Sequence, residues 1–188
     1  TAALREAGVP ECRYLLAVST IHPHKNFVRL LEAYGQLVAE GWAQHLVVAG
    51  LPGKSWKAVR RLLKGKDWAS RVHLLGWQRR EVILSLFNNA EALVFPSTFE
   101  GFGMPVLEAM ASGLPVVCSD IAVLREIAGG AAQFFDPTSS SAIAEALHAA
   151  LRDPTYRAEL IKRGRQRAAG FSWRRSAEQT LAAFLAVV

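Results

Sequence analysis

Short apolar segments alternate with longer segments of helical periodicity along nearly the whole chain, and this alternation limits the folds available to it. The apolar segments are four or five residues long, as strands buried on both faces of a sheet are. They lie at residues 14–18, 46–49, 72–75, 92–95, 115–118 and 132–135. The segments that predict helices begin at about residue 26 and continue at 56–63, 79–88, 105–111, 123–128, 141–151, 155–168 and 173–188.

Strands that alternate with helices through short connections predict a parallel sheet with helices on both of its faces. Because the crossovers between parallel strands are right-handed, we predict an α/β fold: a doubly wound, parallel, six-stranded Rossmann-like sheet with a helical C-terminal segment. The chain has 188 residues, of which 51% are hydrophobic, enough for one core. We therefore expect residues 1–188 to form a single domain.

A glycine loop, Glu-Gly-Phe-Gly-Met-Pro-Val-Leu-Glu at residues 100–108, follows the fourth predicted strand. Gly101 and Gly103 allow positive φ angles and a close approach of a ligand to the backbone. Pro105 fits the first position of a helix. An anion at this helix start would face free backbone amides, with the positive end of the helix dipole behind them. These are the amides of Gly103, Met104, Val106 and Leu107. The alternative is a tight turn without function.

The loop differs from the dinucleotide-binding fingerprint, because Val106 stands where that motif has its third glycine. This disfavours hydride-transfer chemistry. A pocket for a phosphate remains the interpretation that the loop supports.

Two carboxylates bracket this loop: Glu100 lies at its mouth, and Glu108 lies about one turn into the following helix, pointing back toward the helix start. Paired carboxylates often act as a general acid and base. Around an anion pocket, however, they suit the hydroxyl groups of a phosphorylated molecule such as a sugar nucleotide. Taken singly, each would be a surface charge.

Lys25 belongs to a second polar segment, residues 19–26, which follows the first predicted strand. In a parallel sheet this segment and the glycine loop lie at the same edge, where ligands bind. Lys25 can then serve as a cation for a phosphate. Alone, it would be a solvated charge at a helix start.

The chain contains no Asp-x-Asp motif, the simplest carboxylate clamp for a magnesium or manganese ion. We therefore expect a metal-free site, in which backbone dipoles and Lys25 stabilise the leaving phosphate. Cys12 and Cys118 are far apart and lack partners at metal-ligand spacing, so neither a disulfide framework nor a zinc site is indicated. A reducing cytoplasm fits best.

Positive charge is concentrated toward the C-terminus: residues 151–188 contain eight basic and three acidic residues, in a chain of net charge +6. We interpret this cluster as a solvated helix face. The alternative is attraction to an anionic membrane surface or an acidic partner. The chain begins with Thr1 and lacks a cleavable targeting segment, so we expect it to be a piece of a longer protein.

Several motifs, taken in order, resemble the donor-binding half of the family-four retaining glycosyltransferases with the two-domain GT-B fold. They are Pro-His-Lys-Asn at residues 23–26, Leu-Leu-Gly-Trp at 74–77, the Glu-x7-Glu motif at 100–108 within Phe-Pro-Ser-Thr-Phe-Glu-Gly-Phe-Gly-Met-Pro-Val-Leu-Glu-Ala-Met-Ala, and Phe-Ser-Trp at 171–173. The resemblance covers nearly the whole chain.

The resemblance implies a role for each matching residue. Glu100 would contact hydroxyls of the donor sugar and Glu108 those of the ribose, with Glu100 and Lys25 as the candidate catalytic residues. The amides near Phe102, Gly103 and Met104, together with Lys25, would bind the diphosphate. The remaining donor contacts would come from the backbone at Leu74, Leu75 and Gly76, against the base, and from Ser19 and Thr20, near the sugar.

This chain departs from the family pattern at four positions. The family usually has Gly at position 19, Glu at 22 and Arg at 24, where this chain has Ser19, His22 and His24. A second cation beside the phosphates would have to be protonated His24. Arg125 stands where Pro is common, a change we expect to matter little for the donor.

The implied activity is retaining transfer of a hexosyl unit from a nucleoside-diphosphate sugar, GDP- or UDP-linked, to a saccharide or lipid-linked acceptor in bacterial cell-surface polysaccharide synthesis. GDP-mannose is the donor we favour, and no cofactor is required. The partner would be the N-terminal acceptor domain of the same polypeptide, without which we expect this chain to bind a nucleotide but turn over little substrate.

The resemblance also fits a cytoplasmic protein with peripheral contact at the inner face of the membrane, and no nucleic-acid partner is expected. A different class of function stays open: a non-catalytic nucleotide-binding module, or a basic adaptor that uses the C-terminal charge cluster.

Overall fold

Six parallel strands form the centre of the structure, a computed structural model that describes residues 2–186. Within that range the strands are β1 (Tyr14–Val18), β2 (His45–Ala49), β3 (Val72–Gly76), β4 (Ala92–Phe95), β5 (Val116–Ser119) and β6 (Gln133–Phe135). Their order is β3-β2-β1-β4-β5-β6, and all neighbours are parallel. The chain builds outward from β1 to β3 and then returns to add the other half, which confirms the doubly wound sheet.

Helices follow the strands in the predicted alternation. Among residues 2–186 the α-helices are α1 (Ala2–Glu6), α2 (Phe27–Ala39), α3 (Trp56–Leu63), α4 (Arg80–Asn89), α5 (Met104–Ala111), α6 (Ala122–Ala128), α7 (Ser140–Arg152), α8 (Pro154–Ala169) and α9 (Trp173–Leu185). Short 3₁₀ turns occur at Pro23–Lys25, Asp67–Arg71 and Gly129–Ala131.

The sheet is covered on both faces because its strands are apolar on both faces. In β1, Tyr14 and Leu16 belong to the cluster that α1, α4, α5 and α6 cover. Leu15 and Ala17 alternate with them and pack with α2, α3 and α7 on the other side. All four residues are at most 2% exposed. This period-two division of one continuous apolar segment explains why the strands contain no polar alternation.

Several element boundaries differ from the predictions. The helix expected from about Asn26 begins at Phe27, because Asn26 has a left-handed φ of 58° and follows the 3₁₀ turn. The five-residue α1 was not predicted, since so short a segment has little helical periodicity. The helix predicted for residues 173–188 ends at Leu185, and residues 187–188 lie outside the described residues.

None of the helices described between residues 2 and 186 has the length and apolarity to cross a membrane.

Candidate active site

The two polar segments found in the sequence meet at the centre of one sheet edge. β1 and β4 are neighbours, with Leu15 opposite Ala92, and both loops leave their strands at the carboxyl end. The strand order reverses between these two strands, and such a switch point is where doubly wound sheets bind ligands. The amide of Thr98, just after β4, donates a hydrogen bond of 2.7 Å to the carbonyl of His24. The loops are thereby tied together.

Lys25 and Glu100 form an ion pair between these loops. Lys25 Nζ donates to Glu100 Oε1 over 2.5 Å, and their side chains are only 16% and 10% exposed. The ammonium also lies 5.8 Å from the centre of the Phe95 ring. The structure therefore brings together the two candidate catalytic residues, which the sequence had assigned to separate parts of the donor. A charge pair this buried leaves an unpaired charge if either member is removed.

Gly103 sets the shape of the glycine loop. It has φ 97° and ψ 42°, in the left-handed region, and caps the N-terminus of α5. A Cβ there would also lie 2.7 Å from Leu124 Cδ2, on α6. The expectation that Gly101 shares this role is wrong, because Gly101 does not have a positive φ and a Cβ on it would meet open space. Only the second glycine is required by the backbone.

The first turn of α5 differs from the prediction in two details. The helix begins at Met104, so Pro105 occupies its second position rather than its first. The amide of Val106, predicted to be free for an anion, donates to the carbonyl of Gly103 over 2.9 Å. Val106 is also fully buried in the core. The tight turn at the helix start takes this amide out of the anion site, which is the physical reason for the correction.

The amides just before this turn are available. Within residues 2–186, no hydrogen-bond acceptor is found for the backbone N–H groups of Phe102, Gly103 and Met104. They lie at the positive end of α5, which favours an anion. Gly103 itself is buried, whereas Phe102 and Met104 have side chains that are 42% and 39% exposed. The available donors in this part of the loop are thus the amides of Phe102, Gly103 and Met104, and the amide of Val106 is not among them.

A cavity of about 210 Å³ lies beside this helix start. Glu108, Phe102 and Leu107 line one side of it, and Phe171 and Trp173 line the other. The Phe102 and Phe171 rings meet edge to face, with centroids 6.2 Å apart. The closing Phe-Ser-Trp motif of the sequence is therefore part of the same site as the glycine loop. Glu108 is exposed here and also lines a second groove, between α4 and α5.

The loops after β1, β2 and β3 are joined into one continuous edge. Ser19 donates its amide to the carbonyl of Ala49, and the amide of Gly50 donates 2.8 Å to the carbonyl of Gly76. A Cβ on Gly50, whose φ is 156°, would lie 1.9 Å from the Ser19 carbonyl oxygen. This contact requires glycine, and it connects Ser19 and Thr20 with the segment Leu74, Leu75 and Gly76, all half-buried.

Sequence reasoning missed three contributors to this edge. Gly50 was treated only as the end of a strand, although Gly-Leu-Pro-Gly after β2 is itself a signal for a tight loop at the same edge. Thr98 carries no signal, because its amide and its hydroxyl both donate to a backbone carbonyl, that of His24, which lies far away in the sequence. Ser97 is 1% exposed, and its Oγ has no hydrogen-bond partner among residues 2–186. Only its position next to the glycine loop could have drawn attention to it.

The residues that depart from the family pattern have partners of their own. The rings of His22 and His24 stack with centroids 5.9 Å apart, and His22 Nδ1 accepts a hydrogen bond from the amide of Lys54. Arg125 pairs with Asp120 and lies 4.8 Å from the Phe134 ring centre. The hydrogen bond from Arg125 lowers the pKa of Asp120. Arg125 thus has a structural role at the carboxyl end of β5.

Comparison with known proteins places this site in a family. The family model described as "Glycosyl transferases group 1" matches residues 6–167, most of the chain. The chain belongs to the group 1 glycosyltransferases. This match confirms the resemblance to GT-B enzymes that the sequence indicates. The sheet order, the helix-capping loop and the Lys25–Glu100 pair are features of this group 1 domain.

Two relatives and one solved structure illustrate the likeness of this glycosyltransferase domain. O-antigen chain mannosyltransferase B of Escherichia coli is 34% identical over 172 residues, 91% of this chain and 45% of that protein. D-inositol 3-phosphate glycosyltransferase of Geodermatophilus obscurus is 33% identical over 201 residues, covering 99% and 43%. Sucrose-phosphate synthase from Thermosynechococcus elongatus superposes with a TM-score of 0.84 at 25% identity, covering 98% and 48%. The chain spans less than half the length of each.

Metal-ligating side chains do not gather in this domain: within residues 2–186, no group of three or more His, Cys, Asp or Glu residues is arranged to hold an ion. Cys118 lies in β5, where burial raises the pKa of its thiol. Cys12 is half-buried near the N-terminus, and burial raises its pKa as well.

Proposed function

We propose that this chain is the donor-binding half of a retaining hexosyltransferase and that it binds a nucleoside-diphosphate sugar at the β1/β4 switch point. One observation carries the proposal: the available amides at the start of α5 lie in the chain between Glu100, which pairs with Lys25, and Glu108, which lines the cavity beside them. An amide pocket at a helix N-terminus suits a diphosphate, and flanking carboxylates suit hydroxyl groups. A donor of this class contains both.

In this proposal the diphosphate takes the amides of Phe102, Gly103 and Met104. Lys25 is anchored to Glu100, at the mouth of the same loop, and it would stabilise the negative charge that develops on the leaving phosphate. No metal ion is needed for that role, because the positive elements are the helix start and the ammonium.

Glu100 would hold the donor sugar, exchanging part of its contact with Lys25 for sugar hydroxyls. Glu108, on the far side of the helix start, would hold the ribose. The loops that Gly50 connects would supply the remaining contacts. We assign the base to the backbone of Leu74, Leu75 and Gly76. We assign the sugar side to Ser19 and Thr20.

The donor we favour is GDP-mannose, transferred with retained configuration to a saccharide or lipid-linked acceptor in cell-surface polysaccharide synthesis. The support is the name of the Escherichia coli relative, an O-antigen chain mannosyltransferase. A UDP-linked sugar is the second candidate, since the resemblance to this family allows either nucleotide.

Transfer would also require a second domain to bind the acceptor. The cavity at Glu108, about 210 Å³, is smaller than the ~300–1,000 Å³ of typical small-molecule sites. The cavity alone is therefore smaller than a complete donor site. α9 exposes apolar side chains along its length, including Trp173 at 81% and Phe184 at 68%, which a second domain would cover. Both reactants must be positioned together for fast transfer.

Thermal unfolding of the chain with GDP, UDP and ADP tests this proposal. We expect GDP to raise the midpoint most, by about 5–10 °C at a ligand concentration ~100 times Kd, because ligand bound to the folded state alone adds ~2.7 kcal/mol. Guanosine, which lacks phosphates, is the matched control and should give little shift. A chelator should not change the result.

A chain that no nucleoside diphosphate stabilises would contradict the proposal. With GDP-mannose and a saccharide acceptor, we expect residues 1–188 alone to form little product, because they span less than half the length of their relatives and fast transfer needs both reactants positioned together.

A further inference from the structure

A strongly basic surface surrounds α3. Residues 54–71 contain seven basic residues and one acidic residue, a local charge equal to the +6 of the whole chain. Six of the basic side chains are exposed; together they form what we call the basic face: Lys54, Lys57, Arg60, Arg61, Lys64 and Lys66. The seventh, Arg71, is half-buried and donates to the carbonyl of Trp42.

The basic face is a stripe on one side of α3. Lys57, Arg60, Arg61 and Lys64 are spaced by three, four and seven residues, the spacing of neighbours along one helix face. Val59 points the other way and is 1% exposed in the core. Like charges at these spacings destabilise a helix. The stripe is therefore a cost to the isolated domain.

No carboxylate offsets this charge. Among residues 2–186 none of the six cations takes part in an ion pair, whereas Arg163 on α8 pairs with Glu159. A merely solvated face usually mixes both signs. Four of the six also line an open groove of about 1050 Å³ against β3, together with Trp56. β3 is the last strand on that side of the sheet.

We propose that the basic face docks this domain on an anionic bilayer surface. The charges lie along eight residues of helix, about 12 Å, and in the segments next to it, which suits a flat array of headgroups. Leu51, 50% exposed just before the face, supplies an apolar contact. Residues 54–71 offer no exposed aromatic ring on which nucleic-acid bases could stack, because Trp56 and Trp68 are both half-buried.

This docking surface differs from the C-terminal charge cluster noted in the sequence. Its groove includes Leu74, which we assign to the base of the donor, whereas the Lys25–Glu100 pair lies two strands away, after β1 and β4. The proposal does not depend on which donor is bound.

Binding of the chain to lipid vesicles tests the proposed docking surface. The chain should bind phosphatidylcholine vesicles that contain about one third phosphatidylglycerol far more strongly than pure phosphatidylcholine vesicles, and salt should weaken the binding. The double variant Arg60→Gln, Arg61→Gln should bind about 30-fold more weakly, because each surface cation contributes about fivefold. Both side chains are exposed and unpaired, so the thermal midpoint should not fall.

Arg174→Gln, Arg175→Gln is the matched control: it removes the same charge from exposed positions on α9 and should change binding less than threefold. Lys57→Gln, Lys64→Gln is a second variant of the stripe and should repeat the loss. Equal losses in the α3 and α9 variants, or no preference for phosphatidylglycerol, would overturn the proposal. Binding of single-stranded polynucleotide through the basic face, without vesicle binding, would also overturn it.

Discussion

The geometry of the anion site depends on one glycine. Gly103 combines a positive φ with a position against Leu124, so a side chain there meets both backbone strain and a collision. Gly101, two residues earlier, meets neither. The sequence shows two equivalent glycines, and only the structure separates them, because φ angles are set by how α5 packs on α6.

Gly103→Ala should therefore lower the free energy of unfolding by about 1–3 kcal/mol, the usual cost of a strained non-glycine backbone with crowding. Gly101→Ala should stay within about 0.5 kcal/mol of the wild type, as exposed substitutions do. Urea unfolding of both variants measures the difference. Equal free energies of unfolding for the two variants would contradict this prediction, because a side chain at position 103 would then cause no backbone strain.

At the scale of elements, the edge strand β3 is held to β2 by a pair of histidines. His45 Nδ1 and His73 Nε2 are 2.8 Å apart, and the rings stack with an interplanar angle of 3°. Burial and the cation of Arg71 lower the pKa of His45. Burial and the charge of His45 lower that of His73. One ring must donate and the other accept, so the contact needs a neutral imidazole.

Stability should consequently fall as the pH drops below 6.5, the ordinary pKa of these histidines. Between the lowered native pKa values and 6.5 the unfolded chain binds more protons than the native one, so stability rises with pH in that window. Thermal midpoints between about pH 5 and pH 7.5 measure this, since few other side chains titrate there. The double variant His45→Gln, His73→Gln should show a flatter profile, and parallel profiles would contradict the assignment.

Element type and order were predictable from the sequence because each strand is a short apolar segment and each helix has its own periodicity. The pairing of Lys25 with Glu100 was not predictable, since these residues are 75 positions apart and meet only because β1 and β4 are neighbours. The hydrogen bond of Val106 depends on where α5 begins, a boundary that shifted by one residue. Backbone details of this kind arise from packing that a sequence pattern does not contain.

At the scale of the whole molecule, the domain presents three separate surfaces. The carboxyl ends of β1 and β4 carry the proposed donor site, α9 exposes apolar side chains, and the basic face lies on α3, beside β3. In the sequence, the cluster of basic residues that stands out is the C-terminal one. In the structure, the densest group of unpaired basic side chains lies at α3. The C-terminal cluster is longer in sequence and partly offset by its own carboxylates, as the Arg163–Glu159 pair shows.

The central claim is that the α5 start and its flanking carboxylates hold a nucleoside diphosphate, and calorimetric titration of Glu108→Ala with GDP tests it most directly. Glu108 is exposed, so its removal should not disturb folding. Glu145→Ala, at an exposed position on α7, is the matched control. The account predicts GDP binding at least tenfold weaker in Glu108→Ala, since a hydrogen bond to a charged group contributes ~1.5–3 kcal/mol, and unchanged binding in Glu145→Ala. Binding by Glu108→Ala at wild-type affinity would contradict it.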